Sequence, residues 1–300
     1  MPEAEVDTMH ATIAPEAAAT ATAAASAAAA ARALRREDPP DQASGLRRLF
    51  AATRRRQLLP VVANPFVPAA QAVLEMLSAA LVAQGHRVLV VDAAGTAPRP
   101  HEMAVIDLAA GVEALHPQVA YLAARGLPLR YVDARGSAGA FVDAAFDAAP
   151  SCDVVLLHAD PTDLARMLGA RAARPLLLAA DDPEALKQAY AGCKLLVQRS
   201  ALMTFDLLLA ASPFERRAAL IVERLASCAD TFLGAVLQAA VTVDALRDPQ
   251  AAQGPALARL LQAQLAAADS ARPPAPLRSA RPELPPASRT AALREPAFAF

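Results

Sequence analysis

"VVANPFVPAAQAVLEMLSAALVAQGHRVLVVDAA", residues 61–94, decides the fold. The apolar run Leu58–Ala63 leads through a short loop into a segment of helical length, Pro68–Gln84, and a second apolar run, Val88–Val91, ends on Asp92. Strand, loop, helix and strand in that order are how a nucleotide-binding α/β domain begins. Yet the loop, Asn64 to Gln71, reads "NPFVPAAQ", with two prolines, a phenylalanine, no glycine and no lysine.

A working phosphate loop reads G-x-x-x-x-G-K-[ST]. Its glycines let backbone N–H groups close around the phosphates, its lysine reaches the β and γ oxygens, and its hydroxyl meets Mg²⁺. In register, those four positions are Asn64, Ala69, Ala70 and Gln71. Pro65 and Pro68 each remove one N–H from the cradle. The residues therefore predict a degenerate nucleotide loop: Asn64, Pro65, Ala69, Ala70 and Gln71, with Asp92 beyond it.

Apolar runs continue along the chain at Leu129–Val132, Val154–Leu157, Pro175–Ala179, Phe205–Leu209 and Leu233–Leu237. Helical-length segments lie between them, among them Ser137–Ala148, Pro183–Leu195 and Pro213–Ser227. Strands buried on both faces read as unbroken apolar runs, and alternation with helices implies a mostly parallel sheet. The expectation is one doubly wound α/β domain over residues 57–248 with about seven strands. A further helix is expected over residues 249–270, with Leu257, Leu260, Leu261 and Leu265 on one stripe. Arg259 is its only cation and it carries no aromatic residue, so packing on the domain is expected and membrane association is expected to be weak or absent.

The ends differ from this core. Residues 1–36 form a low-complexity, alanine-rich leader, and acidic Glu3, Glu5 and Asp7 stand where a secretion signal needs positive charge. Residues 271–300 are proline-rich and expected to be disordered. The net charge of −1 offers no general attraction to nucleic acid, so no nucleic-acid partner is expected. The three cysteines, Cys152, Cys193 and Cys228, lack metal-ligand spacing and are expected to be buried thiols in a reducing cytoplasm.

Residues 37–56, "EDPPDQASGLRRLFAATRRR", read as a short amphipathic helix ahead of the domain. Pro39 and Pro40 set its start and Asp41 caps it or sits in its first turn. Leu46, Leu49 and Phe50 form one apolar stripe, and Arg47, Arg48 and Arg54–Arg56 load the remainder. The residues alone leave two readings: a helix that packs on its own domain, or one that seats in a partner's groove. Gly45 weakens the isolated helix by about 1 kcal/mol relative to alanine, which suits a segment that orders on a partner.

The frame over residues 57–248 resembles the MinD/ParA-type deviant-Walker ATPases, whose loop is K-G-G-V-G-K-[ST] and whose next strand ends in D-x-D. Here Pro65 stands at the deviant lysine, Ala70 at the main lysine, and Asp92-Ala93-Ala94 in place of D-x-D. "CDVVLLHADPTD" occupies the place of the strand ending in D-T-x-x-G, with His158 where the aspartate would stand. "DQASGLR", Asp41 to Arg47, matches D-Q-A-x-x-L-R. That motif resembles the N-terminal activator of the flagellar-number regulators, the FlhG (FleN, YlxH) branch of the MinD group.

The resemblance implies a helix that docks on the signal-recognition-type GTPase FlhF and stimulates GTP hydrolysis. It implies Asp41, Gln42, Ala43, Leu46 and Arg47 as the activating motif, with Leu49 and Phe50 in the partner's groove. Gln42 is the residue type that orients an attacking water. Flagellar C-ring proteins or a flagellar transcription regulator are further partners of the branch. Intact relatives use ATP and Mg²⁺; here no cofactor and no hydrolysis are expected, in a cytoplasmic protein with recruitment to the cell pole as a further implication. Two alternatives stand beside this reading: a scaffold of the same fold in polysaccharide secretion or cargo positioning, and a residual nucleotide hydrolase using Asp92, Asp160 or Asp181. His101-Glu102 and His158-Ala159-Asp160 read as polar loops or satisfied histidines rather than metal ligands, since no third ligand has suitable spacing. Asp181-Asp182-Pro183 reads as a turn and helix cap, and Ser200 and Ser212 lack a nucleophile's surroundings.

Overall fold

The computed structural model describes residues 56–68, 70–169, 171, 173–211, 216–244 and 254–270. The Asp41–Arg47 motif, Leu49, Phe50, Ala69, the alanine-rich leader and the tail beyond residue 270 lie outside the described residues. The described residues all fall in the compact unit that begins at Arg55.

The quoted stretch forms β1 (Gln57–Val62), α1 (Ala70–Ala83) and β2 (Val88–Asp92). Then come β3 (Val112–His116), β4 (Val119–Ala123), α2 (Gly139–Ala148), β5 (Val154–Ala159) and α3 (Pro161–Leu168). The order closes with β6 (Leu176–Ala180), α4 (Pro183–Ser200), β7 (Thr204–Ala210), α5 (Arg216–Leu233), β8 (Val236–Val243) and α6 (Pro255–Ser270).

The strands make one eight-stranded sheet in the order β3-β4-β2-β5-β1-β6-β7-β8. Every neighbouring pair is parallel except β3 with β4, which is antiparallel. Central strands β2, β5 and β6 are buried at every residue, which is why they read as unbroken apolar runs. The chain leaves β1 toward β2 on one side and later crosses to β6 on the other. Their carboxyl ends therefore flank a crevice at the reversal of strand order, the usual ligand position in open α/β sheets.

Alternation along each strand divides the core into two layers. Leu89, Val91, Val155 and Leu157 face a layer with Phe141, Leu164, Leu196 and Ile221 of α2 to α5. Val88, Val90, Val154 and Leu156 face the other, with Val73, Leu74 and Leu77 of α1. Leu257, Leu260, Leu261 and Leu265 of α6 are buried in that second layer. At about 1.5–3 kcal/mol for each buried leucine, this stripe contributes at most about 6–12 kcal/mol. Asp206, fully buried on β7, holds α6 from within: its Oδ2 accepts from Gln264 Nε2 at 2.5 Å and lies 2.9 Å from Arg174 Nε. No helix among the described residues is long and apolar enough to cross a membrane.

Several sequence expectations change. The run Leu129–Val132 is not a strand: Leu127–Tyr131 is a 3₁₀ turn that starts beyond Gly126 at φ +77° with Pro128 in its first turn. The chain instead forms the β3–β4 hairpin, joined by Pro117 and Gln118. The run Leu233–Leu237 straddles a boundary, since Leu233 ends α5 and Val236 begins β8. Helix α3, with Pro161 opening its first turn, is an element beyond those expected. Cys152 and Cys193 are buried but Cys228 is exposed on α5.

Candidate functional site

The crevice at the carboxyl ends holds a pocket of about 280 Å³ lined by the loop after β1, the start of α1, Asp92 and His158. Of the residues read from the sequence, it brings together Asn64, Pro65, Ala70, Gln71 and Asp92.

The loop after β1 spends its polar groups on itself. Asn64, where a phosphate loop begins with glycine, is 3% exposed. Its Nδ2 donates to the carbonyls of Leu178 and Ala185, both at 2.8 Å, and its Oδ1 accepts from the Phe66 N–H at 3.1 Å. The Val67 N–H donates to the Asn64 carbonyl at 3.1 Å. Pro65 and Pro68 have no N–H. Positions 65–68 therefore offer no backbone donor to a bound anion. Ala70 and Gln71, at the lysine and hydroxyl positions, stand in the first turn of α1 and bring no cation. Positions 65–68 bring no donor, and no lysine lines the pocket to face a triphosphate with its Mg²⁺.

On the opposite wall the sheet builds a buried pair. Asp92 of β2 is register partner to His158 of β5. Both continue rows that face α1, Val88-Val90-Asp92 and Val154-Leu156-His158, so their side chains meet. Asp92 Oδ1 lies 2.8 Å from His158 Nδ1, with the two side chains 5% and 3% exposed. Asp92 also accepts from the Tyr121 hydroxyl at 3.4 Å. Burial pushes the Tyr121 phenol above its ordinary range, and the negative charge of Asp92 adds to this. An ionised Asp92 only accepts, so Nδ1 carries a hydrogen and Nε2 is the nitrogen left over. That Nε2 is buried and has no hydrogen-bond partner.

The neighbouring carboxylates are engaged. Asp160 Oδ2 accepts from the Gly95 N–H at 3.0 Å. Burial pushes its carboxyl above the usual range, and that N–H works the other way. A Cβ on Gly95 would stand 3.1 Å from the same oxygen, so the close approach suits glycine. Asp181 lies 3.0 Å from Arg217 Nε, and Asp182 caps α4 through the N–H groups of Glu184 and Ala185. His101 caps a short 3₁₀ turn by accepting from the Met103 N–H.

His158, read as a polar loop or a satisfied histidine, is the second of these: a buried strand residue bonded to Asp92. The signal was available, since "VLVVD" and "VVLLH" both end an apolar run on a polar residue in the same alternating row. Pairing them required the strand order.

No protein-family profile matches the sequence, and no curated protein matches it. Among solved structures, the chain is similar to a ParA family ATPase from Chlorobium tepidum, at 13% identity over 73% of this chain and 98% of the other, with a TM-score of 0.45. It is similar to the MinC:MinD cell division protein complex of Aquifex aeolicus, at 12% identity over 69% and 96%, with a TM-score of 0.48. It is also similar to cobyrinic acid a,c-diamide synthase from Mycobacterium smegmatis, crystallised with an ATP analogue and magnesium, at 17% identity over 72% and 97%, with a TM-score of 0.48.

Proposed function

We propose that this chain is a regulatory binding protein of the FlhG-like type that has lost its own ATPase. Residues 37–56 act on the signal-recognition-type flagellar GTPase FlhF, and the α/β unit serves as a scaffold. One observation carries the loss of hydrolysis. At positions 65–68 every backbone N–H is either absent, in the prolines, or already donated within the loop. The missing ammonium at Ala70 points the same way. The activator part rests on D-Q-A-x-x-L-R, Asp41 to Arg47, and on the chemistry of a glutamine able to orient water. Flagellar C-ring proteins or a flagellar transcription regulator are further candidate partners, and the cell pole is the proposed place of action.

The test is GTP turnover by the cognate flagellar GTPase with the full chain added, then with Gln42→Ala. Stimulation by the wild type that collapses in the variant is the expected result. No stimulation by either would overturn the activator assignment and move a scaffold in polysaccharide secretion or cargo positioning to first place. Calorimetry with MgATP tests the other half: no saturable heat is expected, and tight binding would overturn the loss of the nucleotide site.

A further inference from the structure

The pocket has one polar atom on its buried floor that nothing satisfies. His158 is 2% exposed, lines the pocket, and leaves Nε2 without a partner. A buried imidazole nitrogen left unpaired costs on the order of one hydrogen bond, so such a group in a cavity marks where a ligand atom belongs. The rest of the buried floor is Val67 and Leu74, at 5% and 1% exposure, with Asn64 and Asp92, whose side-chain polar atoms are already hydrogen-bonded. Pro65, Gln71, Thr96 and Pro98 form a mouth open to solvent.

These features select a chemical class. A polyphosphate finds no backbone donor at positions 65–68 and no lysine among the lining residues. If His158 is protonated, its charge is balanced by Asp92, so an anion gains no net attraction. An ammonium group could donate to a neutral Nε2, but the Asp92 carboxylate is already shared between His158 and Tyr121, and the ammonium's remaining hydrogens would face Val67 and Leu74. A hydroxyl differs from both. It donates to Nε2 when the imidazole is neutral and accepts from it when the imidazole is charged. The volume of about 280 Å³ falls just below the range of about 300–1,000 Å³ that drug-sized ligands fill. We propose that this pocket binds a small uncharged alcohol, its hydroxyl on His158 Nε2 and its apolar body against Val67 and Leu74. The proposal rests on the proposed function only in that the loop holds no nucleotide.

The test uses the full chain labelled with ¹⁵N and spectra tuned to imidazole nitrogens. The probes are benzyl alcohol, toluene, inorganic phosphate and MgATP, each added separately. Benzyl alcohol is expected to shift His158 Nε2 saturably, and toluene to bind roughly tenfold more weakly, the worth of one hydrogen bond. His158→Phe should bind the two equally. Thr96→Trp, at the exposed mouth and away from the core, should block both and serves if His158→Phe fails to fold. An Nε2 unmoved by benzyl alcohol up to its solubility limit overturns this proposal, as does equal binding of toluene by the wild type. A shift by MgATP in preference to the alcohol overturns it together with the loss of the nucleotide site; silence toward every probe overturns it alone.

Discussion

Asp92→Leu should unfold this protein more readily than its small size suggests. The side chains of Asp92 and His158 are 5% and 3% exposed and meet at 2.8 Å. Losing the carboxylate strips the His158 ring of its only hydrogen-bond partner among the described residues, because Nε2 already has none. Removing one member of a buried pair typically costs about 3–5 kcal/mol, since the other is left uncompensated. Against a domain stability of roughly 5–15 kcal/mol, that is a large share. At about 2–4 °C per kcal/mol for a domain of this class, the midpoint should fall by roughly 6–20 °C. His158→Phe should cost a similar amount by leaving the buried Asp92 only the two long bonds from the Tyr121 hydroxyl and the Ala94 N–H. The double variant, Asp92→Leu with His158→Phe, replaces both polar groups with apolar ones and should recover most of the loss. The chain has no tryptophan, so urea unfolding is best followed by far-ultraviolet circular dichroism. Single variants costing under about 1 kcal/mol, or a double variant equal to the sum of the singles, would refute the pair as an interacting unit.

Three further outcomes are expected. Asn64→Ala removes three hydrogen bonds and should lower stability by about 2–4 kcal/mol; a loss below about 1 kcal/mol in urea unfolding would mean the loop is held by other contacts. Burial raises the Asp160 carboxyl in the folded state, so the native protein keeps that proton to higher pH than the unfolded chain does. The stability this supplies is complete below the ordinary aspartate range, near about pH 4, and is lost as pH rises through the folded value; Asp160→Asn should flatten that decline, and parallel pH profiles would sink the assignment. Burial pushes the Cys193 thiol up to about 11 and raises that of Cys152 as well, while Cys228 is exposed. A thiol-reactive aromatic disulfide at about pH 8 should therefore modify Cys228 first, with the other two protected until unfolding; early labelling of Cys193 would contradict the burial.

The apolar runs of β1, β2, β5, β6 and β7 could be read from the sequence because central parallel strands are buried on both faces and carry little else. The β3–β4 hairpin escaped for the opposite reason. Its residues "VEALHPQVAYLA" lie at the sheet edge, mostly half-buried or exposed, and break register between Ala114 and His116. "LRYV", Leu129–Val132, has a strand's composition, but Pro128 just before it and the left-handed Gly126 favour a tight turn. The loop's departures from a phosphate loop are legible residue by residue, since glycine, lysine and proline have fixed backbone or charge consequences. The side-chain bonds of Asn64 to Leu178 and Ala185 were not, because those partners lie 114 and 121 residues away. Asp92 and His158 are likewise 66 residues apart and meet only because β5 lies next to β2.

The self-satisfied loop has a consequence for how a cell would govern such a protein. Under the proposed function, a regulator whose loop does not register the ratio of ATP to ADP lacks a timer of its own. On that reading its output scales with copy number. Synthesis, degradation and competition for the partner would then set the dose, and a few-fold overproduction should act like a permanently engaged intact relative.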